Sequence, residues 1–213
     1  MSIEYEPVTK DLIDGQDYVA EIASITISGN AGAKDVTMKY SVNGFLKEIK
    51  SSDDGSYVIQ VPYNWTGIVE PYNLRYFFTP KIKAYFGDIQ SGQIGVKADQ
   101  INENYTTVLK PPLILVHGWL GLPGAQSSSC DEKIQSYTEK PDNSTLGPIA
   151  KWFSQDYDVW IAHLDSGVLS TPLIERNASC LINQIETVYT ENPHKINIVA
   201  HSMGGLVLSL IHI

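Results

Sequence analysis

The hydrophobic pattern of the chain changes period once, at Lys110-Pro111-Pro112, and that change bounds what it can fold into. Upstream, Val36, Met38, Tyr40 and Val42 alternate with Thr37, Lys39 and Ser41, and Tyr57, Ile59 and Val61 alternate with Val58 and Gln60. Period two marks strands with one face buried. Turn signals fall between them at Ser28-Gly29-Asn30, Asn43-Gly44, Asp53-Asp54-Gly55 and residues 64–67. Closely spaced strands without a helical stretch predict a β-sandwich. Downstream, residues 113–116, 157–162 and 196–200 are short apolar runs, as expected of strands covered on both faces. Between the last two, Ile174, Ala178, Leu181, Ile185 and Val188 keep helical spacing, with Thr171-Pro172 as a start and Asn192-Pro193 as a stop. That alternation predicts a mostly parallel α/β sheet with helices on both faces.

Composition excludes several function classes. The chain has 213 residues, 24 acids against 15 bases, a net charge of −9 and no basic cluster, which argues against nucleic-acid binding. No apolar run approaches the roughly 18–20 residues of a membrane helix, and the acidic start has no apolar signal core. Cys130 and Cys180 are too few for a disulfide framework and too far apart for a Cys-x-x-Cys site. Two free thiols, or one disulfide if the protein is exported, both fit. Residues 1–20 contain Tyr5-Glu6-Pro7 and Gly15-Gln16, which echo Phe78-Thr79-Pro80 and Gly92-Gln93, so they read as the tail of a preceding β repeat or a linker.

Residues 22–101 resemble the bacterial carboxypeptidase-regulatory-like (transthyretin-like) repeats. The likeness rests on Ile25-Thr26-Ile27-Ser28-Gly29, Asp53-Asp54-Gly55-Ser56-Tyr57, Val61-Pro62-Tyr63-Asn64-Trp65-Thr66-Gly67 and Tyr76-Phe77-Phe78-Thr79-Pro80. It implies a small exported sandwich that acts as a spacer or adhesive module. Tyr63 and Trp65 invite a carbohydrate-stacking reading, against which stands the commoner role of such aromatics in a core. The domain reading is therefore a tail over 1–20, a sandwich over 21–103, a linker over 104–112 and a partial α/β domain over 113–213.

The chemistry-bearing motif is Ala200-His201-Ser202-Met203-Gly204-Gly205, which follows one apolar run and precedes another. A strand–Gly-x-Ser-x-Gly–helix turn exposes its serine on a strained backbone, at a helix start that favours a developing anion. Here Ala200 replaces the first glycine, and Gly204 and Gly205 would let the helix lie close to its strand. A passive serine in a buried turn is the bland alternative. A second element weighs against it: the run 113–116 ends in His117-Gly118-Trp119, placed as a loop that supplies an oxyanion donor.

Together these motifs resemble the α/β-hydrolase superfamily, in its lipase/esterase branch, over residues 111–213. The resemblance implies Ser202 as nucleophile and the backbone N–H groups of Met203 and Trp119 as oxyanion hole. His117, Gly118, Ala200, His201, Gly204 and Gly205 then support the elbow and loop. It implies no metal and no organic cofactor, and a small-molecule or lipid ester as substrate. The triad order in that fold is Ser, acid, His. After Ser202 there is no acid, and His212 lies ten residues on, about 15 Å along a helix. His163, His194 and Asp165 precede the serine and carry no feature that favours a role. The expectation is a hydrolase fragment whose acid and base are missing, itself inactive, from an extracellular or cell-surface parent. An exported binding protein with a non-catalytic hydrolase-like segment is the alternative, and amide, thioester or lactone cleavage shares the same motif.

Overall fold

The computed structural model describes residues 24–87, 94–118, 129–138, 146–165 and 174–211. The proposed tail over 1–20, Gly92-Gln93, Trp119, Thr171-Pro172 and His212 lie outside the described residues.

The first half builds a two-layer β structure. In chain order its strands are β1 (Ser24–Asn30), β2 (Thr37–Val42), β3 (Phe45–Lys50), β4 (Ser56–Pro62), β5 (Gly67–Tyr72), β6 (Tyr76–Thr79), β7 (Lys83–Tyr85) and β8 (Thr106–Leu109). One sheet pairs β1 with β4, the other runs β3-β2-β5-β7, and β6 pairs with β8. Of the period-two residues, Val36, Met38, Tyr40, Tyr57, Ile59 and Val61 face inward as expected and Val42 is partly buried; Ile25, Ile27 and Val69 complete the core between the layers. Trp65 belongs to that core, its indole N–H donating to the Ser41 carbonyl at 2.8 Å, whereas Tyr63 is exposed. So the pair is not a joint stacking platform. Within the stretch read as a linker, Tyr105 is buried and donates its hydroxyl to the Val69 carbonyl at 2.9 Å.

The second half contains β9 (Pro112–Val116), β10 (Gln135–Ser136), α1 (Gly147–Phe153), β11 (Asp158–Ile161), α2 (Ile174–Glu191), β12 (Asn197–Ala200) and α3 (Met203–Ile211). Its sheet runs β10-β11-β9-β12. Every residue of β9 is buried because it lies between two strands and two apolar layers. Ile114 and Val116 pack with Leu181, Val188 and Val207 of α2 and α3, and Leu113 and Leu115 with Ala150 of α1. By contrast β12 pairs only with β9 among the described residues and is half-exposed, not covered on both faces as its apolar run suggests.

The expected fold class needs correction. Among the described residues, six of the eight strand pairings are antiparallel and only β9–β11 and β9–β12 are parallel. Even the second sheet is mixed, since β10 runs antiparallel along its edge. Over the described residues the chain is a predominantly antiparallel β structure with three helices, not a sandwich followed by a mostly parallel α/β-hydrolase segment. The physical reason is that helical crossovers enforce a parallel direction only among the strands they connect in chain order, whether or not those strands are neighbours in the sheet. Here those are three strands of four residues or a little more.

Two features position the two halves. Lys110, buried between them, donates its ammonium to the Ser154 carbonyl at 2.7 Å. Its burial pushes its pKa down from the ordinary lysine value. Asn192, fully buried at the end of α2, donates to both the Lys110 carbonyl (2.9 Å) and Asp158 Oδ2 (3.0 Å). These contacts gather where β9 and β11 begin. The candidate site lies where β9 and β12 end.

Candidate active site

Strand β12 delivers the chain to the end of β9, where the His201 N–H donates to the Val116 carbonyl at 2.9 Å. The chain then reverses sharply. Ser202 takes φ = 55°, in the left-handed region that non-glycine residues avoid. The Gly204 N–H closes on the His201 carbonyl (3.0 Å) and the Gly205 N–H on the Ser202 carbonyl (2.9 Å), which starts α3. Ser202 is exposed, and the Met203 N–H meets no backbone carbonyl among the described residues. A strained, exposed hydroxyl at the start of a nine-residue helix is therefore present as a local geometry.

Two glycines make the close approach possible. A Cβ on Gly118 would stand 2.6 Å from Ser202 Cβ and 3.1 Å from its Oγ, so the Gly118 backbone forms a wall directly against the serine side chain. A Cβ on Gly204 would stand 2.7 Å from the His117 carbonyl and 2.9 Å from that of Val116, so α3 rests on the end of β9 through Gly204. Gly205 does not share that role: a Cβ there meets nothing within 4 Å. Ala200 is half-buried opposite Val116 in the β9–β12 ladder.

His117 is buried at the end of β9. Its Nδ1 lies 2.8 Å from the Gly118 carbonyl, and the Leu164 N–H approaches its Nε2 at 3.4 Å. Burial lowers its pKa below the ordinary 6.5; the Gly118 carbonyl opposes that shift and nearby His163 adds to it. His201, read from the sequence as support for the elbow, is exposed. His194 holds Asn192 Oδ1 at 2.7 Å, and His163 Nδ1 lies 3.4 Å from Glu132 Oε2. No imidazole or carboxylate hydrogen-bonds to Ser202 among the described residues, and no group of three metal-ligating side chains occurs among them.

The sequence reading missed how the segment after β11 is held. Asn177 of α2 takes the Asp165 N–H (2.9 Å) and donates to the Asp165 carbonyl (3.2 Å). Gln184 does the same at His163, at 3.0 and 2.7 Å. Each amide side chain thus imitates a neighbouring strand. Helical spacing places both on the buried face, a polar exception that only this pairing explains. Cys130 and Cys180 form a disulfide, and the Cys130 N–H donates to Asp165 Oδ1 at 2.9 Å.

Comparison with known proteins adds little to this geometry. No family model and no curated protein matches the chain. A carbohydrate acetylesterase from Xanthomonas citri is a structural neighbour at 9% identity and a TM-score of 0.19, over 84% of this chain and 36% of that one. The chain thus spans well under half the length of that enzyme, and no role is carried over from so distant a likeness. No helix among the described residues is long and apolar enough to cross a membrane.

Proposed function

We propose that the chain carries the nucleophile of a carboxylic ester hydrolase, with Ser202 as the attacking residue. The observation that supports this most is the wall of Gly118 against a Ser202 held at φ = 55°. Strain of this kind persists only where the surrounding structure imposes it, and it gathers at reactive sites. Ser202 Oγ would attack the acyl carbon, with the Met203 N–H facing the oxygen that becomes negative. Trp119, outside the described residues, is the second donor proposed from the sequence. The serine proton must pass to an imidazole that an acid orients, and neither partner is among the described residues. Esters of small molecules or lipids are the proposed substrates, without metal or organic cofactor. The Cys130–Cys180 disulfide supports an extracellular or cell-surface setting, since such bonds persist in oxidising compartments.

Stoichiometric labelling tests the nucleophile without requiring turnover. An oxyanion hole alone retains about 10³-fold catalysis over water when a triad member is missing. A fluorophosphonate should therefore modify Ser202 slowly but ahead of the other serines, as read by peptide mass spectrometry, and not at all in Ser202→Ala. Labelling spread evenly over exposed serines sinks the assignment. Turnover of a p-nitrophenyl ester should not exceed the Ser202→Ala control. Turnover lost in that variant would place a base within the chain.

A further inference from the structure

We infer that His117 is a positioning residue locked as the Nδ1–H tautomer, a brace that fixes the Gly118 carbonyl and so the wall on which the Ser202 side chain rests. Both ring nitrogens face backbone groups whose polarity cannot change. The Gly118 carbonyl can only accept, so Nδ1, 2.8 Å away, carries the hydrogen. The Leu164 N–H can only donate, so Nε2, at 3.4 Å, carries the lone pair. The two constraints are independent and select the same neutral form. The other tautomer sets a lone pair against a carbonyl and an N–H against an N–H. The imidazolium keeps the Gly118 contact and loses that of Leu164.

His117 is 8% exposed and Leu164 is fully buried, so solvent does not compensate a lost partner. His117 stands just past the end of β9 and Leu164 past the end of β11, so the imidazole pins two adjacent strand ends together. The peptide it holds is that of Gly118, the residue so close to Ser202 that a Cβ on it would stand 2.6 Å from the serine Cβ. Among the described residues, the titratable group that acts on it is His163, itself 3.4 Å from Glu132, while the exposed His201 reaches the end of β9 through its N–H on the Val116 carbonyl. The inference rests on the nucleophile reading only for its consequence on reactivity.

Nitrogen-resolved imidazole spectra of the chain read the tautomer directly. Near neutral pH, His117 should show a protonated Nδ1 and a bare Nε2. It should become an imidazolium only below 6.5, with the Gly118 and Ser202 amide shifts moving at the same midpoint. An Nε2–H tautomer, a midpoint at or above 6.5, or amides that stay still overturn the brace. Reactivity supplies a second readout. His117→Asn keeps an N–H near the Nδ1 position and should label at Ser202 close to the wild-type rate. A folded His117→Ala should lose on the order of 10²-fold, the usual cost of an ångström of misplacement. Unchanged labelling in that variant overturns the brace. If His117→Ala fails to fold, the Asn variant and the spectra decide. If the wild type is not labelled at Ser202 at all, the nucleophile reading falls, and the spectra still judge the brace.

Discussion

Arg75 and Asp158, 83 residues apart in sequence, meet in a forked ion pair in which the Arg75 Nε lies 3.2 Å from each oxygen of the Asp158 carboxylate. Asp158 is 1% exposed, and Arg75 also reaches Glu191 at 3.2 Å and covers the Trp160 ring at 5.1 Å. The β5–β6 turn is thereby fastened to the first residue of β11.

Removing one partner of a buried pair leaves a charge that water cannot reach, at a cost of roughly 3–5 kcal/mol. Arg75→Ala should destabilise the chain by about 3 kcal/mol, the low end of that range, since Arg75 keeps one side in water. Combining it with Asp158→Asn should cost less than the sum of the two single changes. Urea denaturation of the three variants checks this, and full additivity would mean that the two residues do not interact.

The glycines after the serine should separate. Gly204→Ala drives a methyl into two carbonyls of the β9 end and should destabilise the chain. Gly205→Ala meets open space inside a helix and should stabilise by up to about 1 kcal/mol. Thermal melts of both variants give the sign of each effect.

Ser202 should trade reactivity against stability. A non-glycine residue in the left-handed region carries roughly 1–2 kcal/mol of strain, which Ser202→Gly relieves. That variant should melt higher than Ser202→Ala while neither reacts with a fluorophosphonate. Equal melting temperatures would remove strain from the description of the turn.

The disulfide closes a separation of 50 residues, for which chain entropy gives a stabilisation of about 4 kcal/mol at most. Reductant, or the double Cys130→Ser/Cys180→Ser change, should lower the denaturation midpoint accordingly. The non-reduced mass should be lower than the reduced mass by two hydrogens.

His117 predicts a slope of stability with pH. Its folded pKa is lowered, so between that value and 6.5 the unfolded chain binds more protons than the folded one. Stability therefore rises with pH through that window; on acidification this contribution is lost as pH falls from 6.5 through the folded pKa, and no more of it is lost below. Denaturation midpoints of the wild type and His117→Asn should converge as pH falls.

Much of the local structure was legible. The apolar run 113–116 became β9, 157–162 contains β11, and the helical spacing of Ile174, Ala178, Leu181 and Val188 became α2. Periodicity reports which face is buried, and burial is what shaped those elements. It does not report pairing direction, so the antiparallel majority, and the edge position of β12 among the described strands, stayed hidden. The roles of Asn177 and Gln184 were not legible, because their partners are backbone groups with no sequence signature. The Arg75–Asp158 pair joins residues that no local spacing connects. At the site, the close approach of the helix at Gly204 was readable from the glycines after the serine, whereas the wall that Gly118 makes against Ser202 was not. Gly205 was not distinguishable from Gly204, since only the helix's orientation decides which one faces β9.

Strand β9 works as a ruler between the fastening and the serine. Asp158 is paired with Pro112 at one end, and the His201 N–H meets the Val116 carbonyl at the other. The four residue steps between them span about 13 Å. A single residue inserted in β9 would lengthen that span by only about 3 Å, but it would also invert every side chain beyond the insertion. Leu113 and Leu115 would exchange layers with Ile114 and Val116, and His117 would swing out of reach of Leu164. The distance from the sandwich to Ser202 can therefore change only in steps of two residues.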